Sequence, residues 1–83
     1  MSNSTKDAGR LLKYTNQRVV LGDDFDEAIT YAVAQVYPRA SEDAQADVYA
    51  AIRACFDEYP NGTSRKIAVV DRLRKYQLSR IYG

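Results

Sequence analysis

Residues 41–59 read SEDAQADVYAAIRACFDEY, and this stretch decides the fold. Ala44, Val48, Ala51, Ile52, Cys55, Phe56 and Tyr59 recur at three- and four-residue spacing. At about 100° of rotation per residue, such positions share one stripe of an α-helix. Ala46, Ala50 and Ala54 supply the highest helix propensity elsewhere in the segment. Ser41 is the N-cap candidate, because its hydroxyl can accept from a first-turn amide that has no partner within the helix. Glu42 and Asp43 place negative charge at the positive end of the helix dipole. Pro60-Asn61-Gly62 ends the segment with turn chemistry. A helix over about 42–58 follows, with an apolar stripe that other elements must cover.

Upstream, Phe25, Ile29, Ala32, Val33 and Val36 form a second stripe between Asp24 and Pro38. Asp23 and Asp24 suit an N-cap, and Asp26 and Glu27 complement the dipole. Further upstream, Leu11, Leu12, Thr15 and Val19 keep helical spacing, and Gly22 suits a C-cap. Gly9 costs that segment about 1 kcal/mol of propensity. An extended arm over 18–21 is the alternative there. Downstream, Thr63 or Ser64 can cap a fourth helix running to about Ile81. Its apolar arc reads Ile67, Val70, Leu73, Leu78 and Ile81, with Arg65, Arg72, Lys75 and Ser79 opposite.

Short connections between these segments suit antiparallel neighbours. The expected fold is an all-α small bundle of three to four helices. The alternative is an α+β fold with a minor two-stranded element pairing Val19-Val20-Leu21 with Ile67-Ala68-Val69-Val70. Residues 1–5 read as a flexible polar tail, and residues 6–83 as a single helical domain. At 83 residues and 9.4 kDa, the chain has room for one core. A core of that size gives only a few kcal/mol of net stability, so a second copy as partner, a homo-oligomer, is a natural expectation.

Composition narrows the chemistry. The chain has no His and one Cys. The commonest general base and metal ligand is therefore missing, and no internal disulfide is possible. Zinc needs more Cys and His than are present. Asp23-Asp24-Phe25-Asp26-Glu27 is rich in carboxylate, yet no register places the Gly and Glu that a calcium loop needs. Capping accounts for those acids. The glycines are isolated, so no phosphate loop is formed. Cys55 lies on an apolar stripe and reads as a small buried hydrophobe. We expect no enzyme, no cofactor and no metal. No apolar run approaches a membrane span, and no signal core precedes the domain, so a cytoplasmic, membrane-free protein is expected.

The formal charge of +1 is a cancellation. Residues 1–22 carry +3, residues 23–58 carry −7 and residues 59–83 carry +5. Basic and acidic helices could neutralise each other within the fold. Alternatively, the basic last helix is a partner surface. Arg65, Arg72, Arg74, Lys75 and Tyr76 are the candidate partner-binding residues. Arg74 falls on the apolar side of that wheel, where it must pair with Asp57 or Glu58, or else reach a partner. The seven tyrosines suit half-buried edges, protein interfaces or stacking on bases.

The resulting expectation is a non-enzymatic interaction module, a small regulatory, adaptor or inhibitor protein that binds another protein through its last helix. Nucleic acid binding by the same helix, helped by Lys6, Arg10 and Lys13, is the alternative partner class. The last two helices superficially suit a helix-turn-helix, although the connection is long and the preceding helix acidic. A structural homo-oligomer is a further alternative.

Overall fold

The computed structural model describes residues 3–59 and 62–76. Four helices account for almost all of them: α1 (Asn3–Val20), α2 (Phe25–Val36), α3 (Glu42–Glu58) and α4 (Gly62–Tyr76). No strand occurs among the described residues. Val19 and Val20 end α1, and residues 67–70 lie inside α4, so the two-stranded alternative is excluded there. Helices adjacent in sequence pack together, and α1 also packs on α4. The arrangement is a small all-α bundle.

Each helix boundary has a local cause. α1 already includes residues 3–5, assigned above to a polar tail, because Ser4 is buried at 1% exposure. α1 ends in a Schellman turn. The Asp23 amide donates to the Arg18 carbonyl and the Gly22 amide to the Val19 carbonyl, both at 3.0 Å. Gly22 sits at φ +111°, a conformation that a side chain would strain. The Arg18 Nε to Asp23 Oδ2 ion pair, at 2.7 Å, closes the same turn. It holds the Arg18 guanidinium above its ordinary pKa.

Asp24 caps α2 with a reciprocal capping box. Its carboxylate accepts from the Glu27 amide at 2.8 Å, while Glu27 Oε1 accepts from the Asp24 amide. Ser41 caps α3 by accepting from the Ala44 amide at 3.1 Å. α4 starts at Gly62, φ +66°, a residue or two before the expected cap.

The core collects Leu11, Ile29, Val33, Val48, Ile52, Cys55, Val69 and Leu73, all at 2% exposure or less. The stripes expected on α2 and α3 are the buried ones, apart from Phe25 and Tyr59 at their ends and the half-buried Ala51. Polar links cross the core edges. Tyr37 Oη donates to Asp7 Oδ2 at 3.0 Å, with both residues under 5% exposed. This ties the start of α1 to the end of α2. Asp26 accepts from Tyr49 Oη at 2.9 Å and pairs with Arg53 Nε at 2.9 Å, latching α2 to α3. The bond to Asp26 raises the Tyr49 hydroxyl above its ordinary pKa.

Candidate interaction surface on helices 1 and 4

The phase of α4 positions the candidate site, and it differs from the sequence expectation. Ala68, Val69 and Leu73 are buried, whereas Ile67 is 64% exposed and Val70 only partly buried. The helix is turned so that the apolar arc through Ile67 faces outward. Leu78 and Ile81, which continue that arc in sequence, lie outside the described residues.

The cause is visible in the two arginines that the turn brings inward. The Arg65 guanidinium lies over the Phe56 ring, 4.1 Å from its centroid. Its Nε donates at 2.8 Å to the carbonyl of Tyr59, the C-cap residue of α3. Phe56 also packs against Phe25, with centroids 5.5 Å apart. Arg72 pairs with Glu58 at 3.5 Å and with Asp71 at 3.7 Å. Both side chains are half-buried. Arginine stems cover apolar surface while their heads reach the acidic, negative-dipole end of α3. Helix α4 therefore packs through Ala68, Val69 and Leu73 with an arginine at its edge.

The five expected partner-binding residues are thus divided. Arg65 and Arg72 are turned towards α3 and serve the fold. Lys75 is exposed and pairs with Asp71 at 3.5 Å, four residues back on its own helix. Arg74 is exposed. It does not pair with Asp57 or Glu58, since Asp57 pairs with Arg53 at 3.0 Å and Glu58 with Arg72. Tyr76 is the last residue of α4, and its side chain lies outside the described residues.

Other cations take their place beside Arg74. Lys6, Arg10 and Lys13 are exposed and share the outer arc of α1 at helical spacing. Lys66 is exposed and lines a shallow groove between α1 and α4 with Leu12, Asn16 and Thr63. Among the described residues, Lys6, Lys13, Lys66 and Arg74 have no carboxylate within 4.0 Å. Arg10 lies 3.7 Å from Asp7, an acid already bonded to Tyr37. Exposed cations therefore line the outer arc of α1 and the adjoining side of α4, and Val20 on α1 and Ile67 on α4 are exposed apolar side chains at 85% and 64%. Lys6, Arg10 and Lys13 were legible from spacing alone. Lys66 is not among the partner-binding residues expected from sequence, because on the helical wheel it falls between Leu73 and Val70.

Little else forms a site. Among the described residues no group of three or more His, Cys, Asp or Glu could hold a metal ion. Cys55 is buried at 0% exposure, and burial pushes its thiol pKa up, which suppresses the reactive thiolate. The open groove at Asp23, Glu27 and Thr30 is also lined by Arg18, which pairs with Asp23 and lies 4.7 Å from the Tyr31 ring centroid. No described helix is long and apolar enough to cross a membrane. Comparison with protein-family models, curated proteins and solved structures finds no match to this chain.

Proposed function

We propose that this chain is a non-enzymatic interaction module that docks an acidic protein surface on the outer face of α1 and α4. One observation carries the reading. Arg18, Arg53 and Arg72 are engaged by acids of the fold, while Lys6, Lys13, Lys66 and Arg74 have no acidic partner among the described residues, and Ile67, one helical face over from Lys66 and beside Arg74, is 64% exposed. Exposed apolar side chains together with cations that the fold does not pair suit a protein interface, in which apolar contact supplies affinity and charge supplies orientation and rate. The site residues of the reading are Lys13, Lys66, Ile67 and Arg74. Arg65 and Arg72 support it from behind by fixing the rotation of α4.

A phosphate backbone would use the same cations, but Ile67 has no role there. The helix-turn-helix form also loses support, because Arg65, near the start of α4, lies against Phe56 and Tyr59. The test is affinity capture from nuclease-treated native lysate with the wild-type chain and with Lys66→Glu/Arg74→Glu. The expected result is a defined protein retained by the wild type and lost with the variant. Capture that is unchanged in the variant, or that disappears on nuclease treatment, overturns the proposal.

A further inference from the structure

We infer that the partner segment on the α1–α4 face is an acidic amphipathic helix, and that it lies across Gly9 of α1. The inference rests on the proposed docking role and names the chemistry of the partner. Gly9 stands inside α1, well away from either end. Apart from proline, glycine is the costliest residue in a helix interior. The fold does not call for it there. Gly22 and Gly62 are the glycines with positive φ among the described residues, so Gly9 keeps a backbone that any residue adopts. A Cβ at Gly9 would meet nothing within 4 Å. Alanine would therefore fit and give a more stable chain. What glycine supplies is a notch in which another backbone can approach α1 closely. Gly9 is partly exposed, so the notch is open to a partner.

The surroundings of the notch define what fills it. Lys6 lies one turn before Gly9 and Lys13 one turn after it, both exposed and without a carboxylate within 4.0 Å among the described residues. On the other flank, Leu12 and Asn16 form the α1 side of the groove that Lys66 lines from α4. Leu12 is partly buried against the core, so it gives that flank an apolar floor. A segment laid over Gly9 thus meets cations on both sides and apolar surface beneath. Carboxylates either side of an apolar residue complement that pattern. The spacing suits a helix. Lys6 and Lys13 are seven residues apart, about 10 Å along the axis. A helix packed alongside α1 at about 20° presents its own seven-residue repeat at the same interval. Two acids seven apart then reach the two lysines, an apolar residue between them enters the notch, and a further acid on the opposite flank faces Lys66. Anchors at such spacing are how amphipathic helices are read by grooves.

Fluorescence anisotropy with a synthetic peptide tests this. The probe is an alanine-rich helix with Glu at its first and eighth positions and Leu at its fourth. A second peptide of the same composition places these residues off that spacing. The wild type is expected to bind the first peptide about tenfold more tightly than the second, and less tightly as salt rises. Gly9→Ala and Gly9→Leu are expected to raise the urea midpoint, because both residues are better helix formers. The same changes weaken peptide binding in steps, Gly9→Leu by about tenfold or more. Stability and binding then move in opposite directions, which a merely structural glycine would not produce. Lys6→Glu/Lys13→Glu loses the peptide while circular dichroism shows retained helix. Absent peptide binding, equal binding of the two peptides, binding that Gly9→Leu leaves intact, or tighter binding of an oligonucleotide than of the peptide each overturns the inference. Lysate capture that is lost with Lys66→Glu/Arg74→Glu but kept by Gly9→Leu removes the helix across Gly9 and leaves the docking role standing. Capture kept by Lys66→Glu/Arg74→Glu removes the docking role as well.

Discussion

Substituting Leu73 and Ile67 separately tests the rotation of α4. Both are large aliphatic residues on one helix, and a wheel drawn from sequence puts both in the same apolar arc. In the structure Leu73 is 0% exposed and Ile67 is 64% exposed. Leu73→Ala removes a fully buried side chain and leaves a cavity, at a cost of about 3–4 kcal/mol. Ile67→Ala removes about a third of the corresponding burial, so its cost is about 1 kcal/mol, and alanine's higher helix propensity offsets part of that. The total stability of an 83-residue domain is about 4–12 kcal/mol, so the first change consumes a large share of it. With an m-value of about 1 kcal/mol/M in urea, the Leu73→Ala midpoint falls by about 3 M and the Ile67→Ala midpoint by less than 1 M. Urea titration followed by circular dichroism reads both. Equal losses, or a larger loss at Ile67, would refute the packing through Ala68, Val69 and Leu73.

Further expectations concern the links that position this helix and its neighbours. Tyr37→Phe leaves the buried Asp7 carboxylate without the Tyr37 hydroxyl and is expected to cost about 1.5–3 kcal/mol in urea titration; a neutral effect contradicts the role given to that bond. Ser41→Ala removes the α3 cap and costs about 1 kcal/mol, whereas Ser41→Gly costs only a few tenths. The pH dependence follows from two raised groups, the buried Cys55 thiol and the Tyr49 hydroxyl that donates to Asp26. In each, the folded chain holds its proton more tightly than the unfolded chain. That stabilisation is fully present below the unfolded values, about 8.5 and 10, and is lost as pH rises through the folded ones. Stability is therefore expected to fall across this alkaline window, with Cys55→Ala flattening its lower part. Stability that rises across the window has the wrong sign for both groups.

Much of the fold was legible because the middle helices state it redundantly. In α3 the stripe, the alanines and Ser41 all agree, and each feature appears in the structure in the expected role. In α2 the acids at 24–27 were readable as caps, although the reciprocal use of Glu27 required geometry. The rotation of α4 was not legible, for a specific reason. Two arcs of that helix carry aliphatic residues, one through Ile67 and Val70 and the other through Ala68, Val69 and Leu73. Scoring Arg65 and Arg72 as polar favours burying the first. Their stems are apolar, however, and Phe56, the Tyr59 carbonyl and Glu58 lie within reach of their heads. Those partners belong to another helix, so no pattern within residues 62–76 could disclose them. The same blindness affected Arg74. Its place beside Ile67 and Val70 was readable, but which way that arc faced was not.

The basic face was half legible. The spacing of Lys6, Arg10 and Lys13 already set them on one side of α1. Joining them to Lys66 and Arg74 required the packing of α1 on α4. The apparent neutrality of the chain is then resolved in space. Arg18, Arg53 and Arg72 pair with Asp23, Asp26, Asp57 and Glu58 of the middle segment at 2.7 to 3.5 Å, while Lys6, Lys13, Lys66 and Arg74 have no carboxylate partner among the described residues.

Helix α4 uses Arg65 and Arg72 for the fold, and the proposed function has it offer Lys66 and Arg74 to a partner. The most direct measurement compares two double variants side by side, Arg65→Met/Arg72→Met and Lys66→Glu/Arg74→Glu, for urea stability and for capture from nuclease-treated lysate. The first pair is expected to lower stability, and the second to leave stability unchanged and abolish capture. A stable, capture-competent Lys66→Glu/Arg74→Glu variant would contradict it.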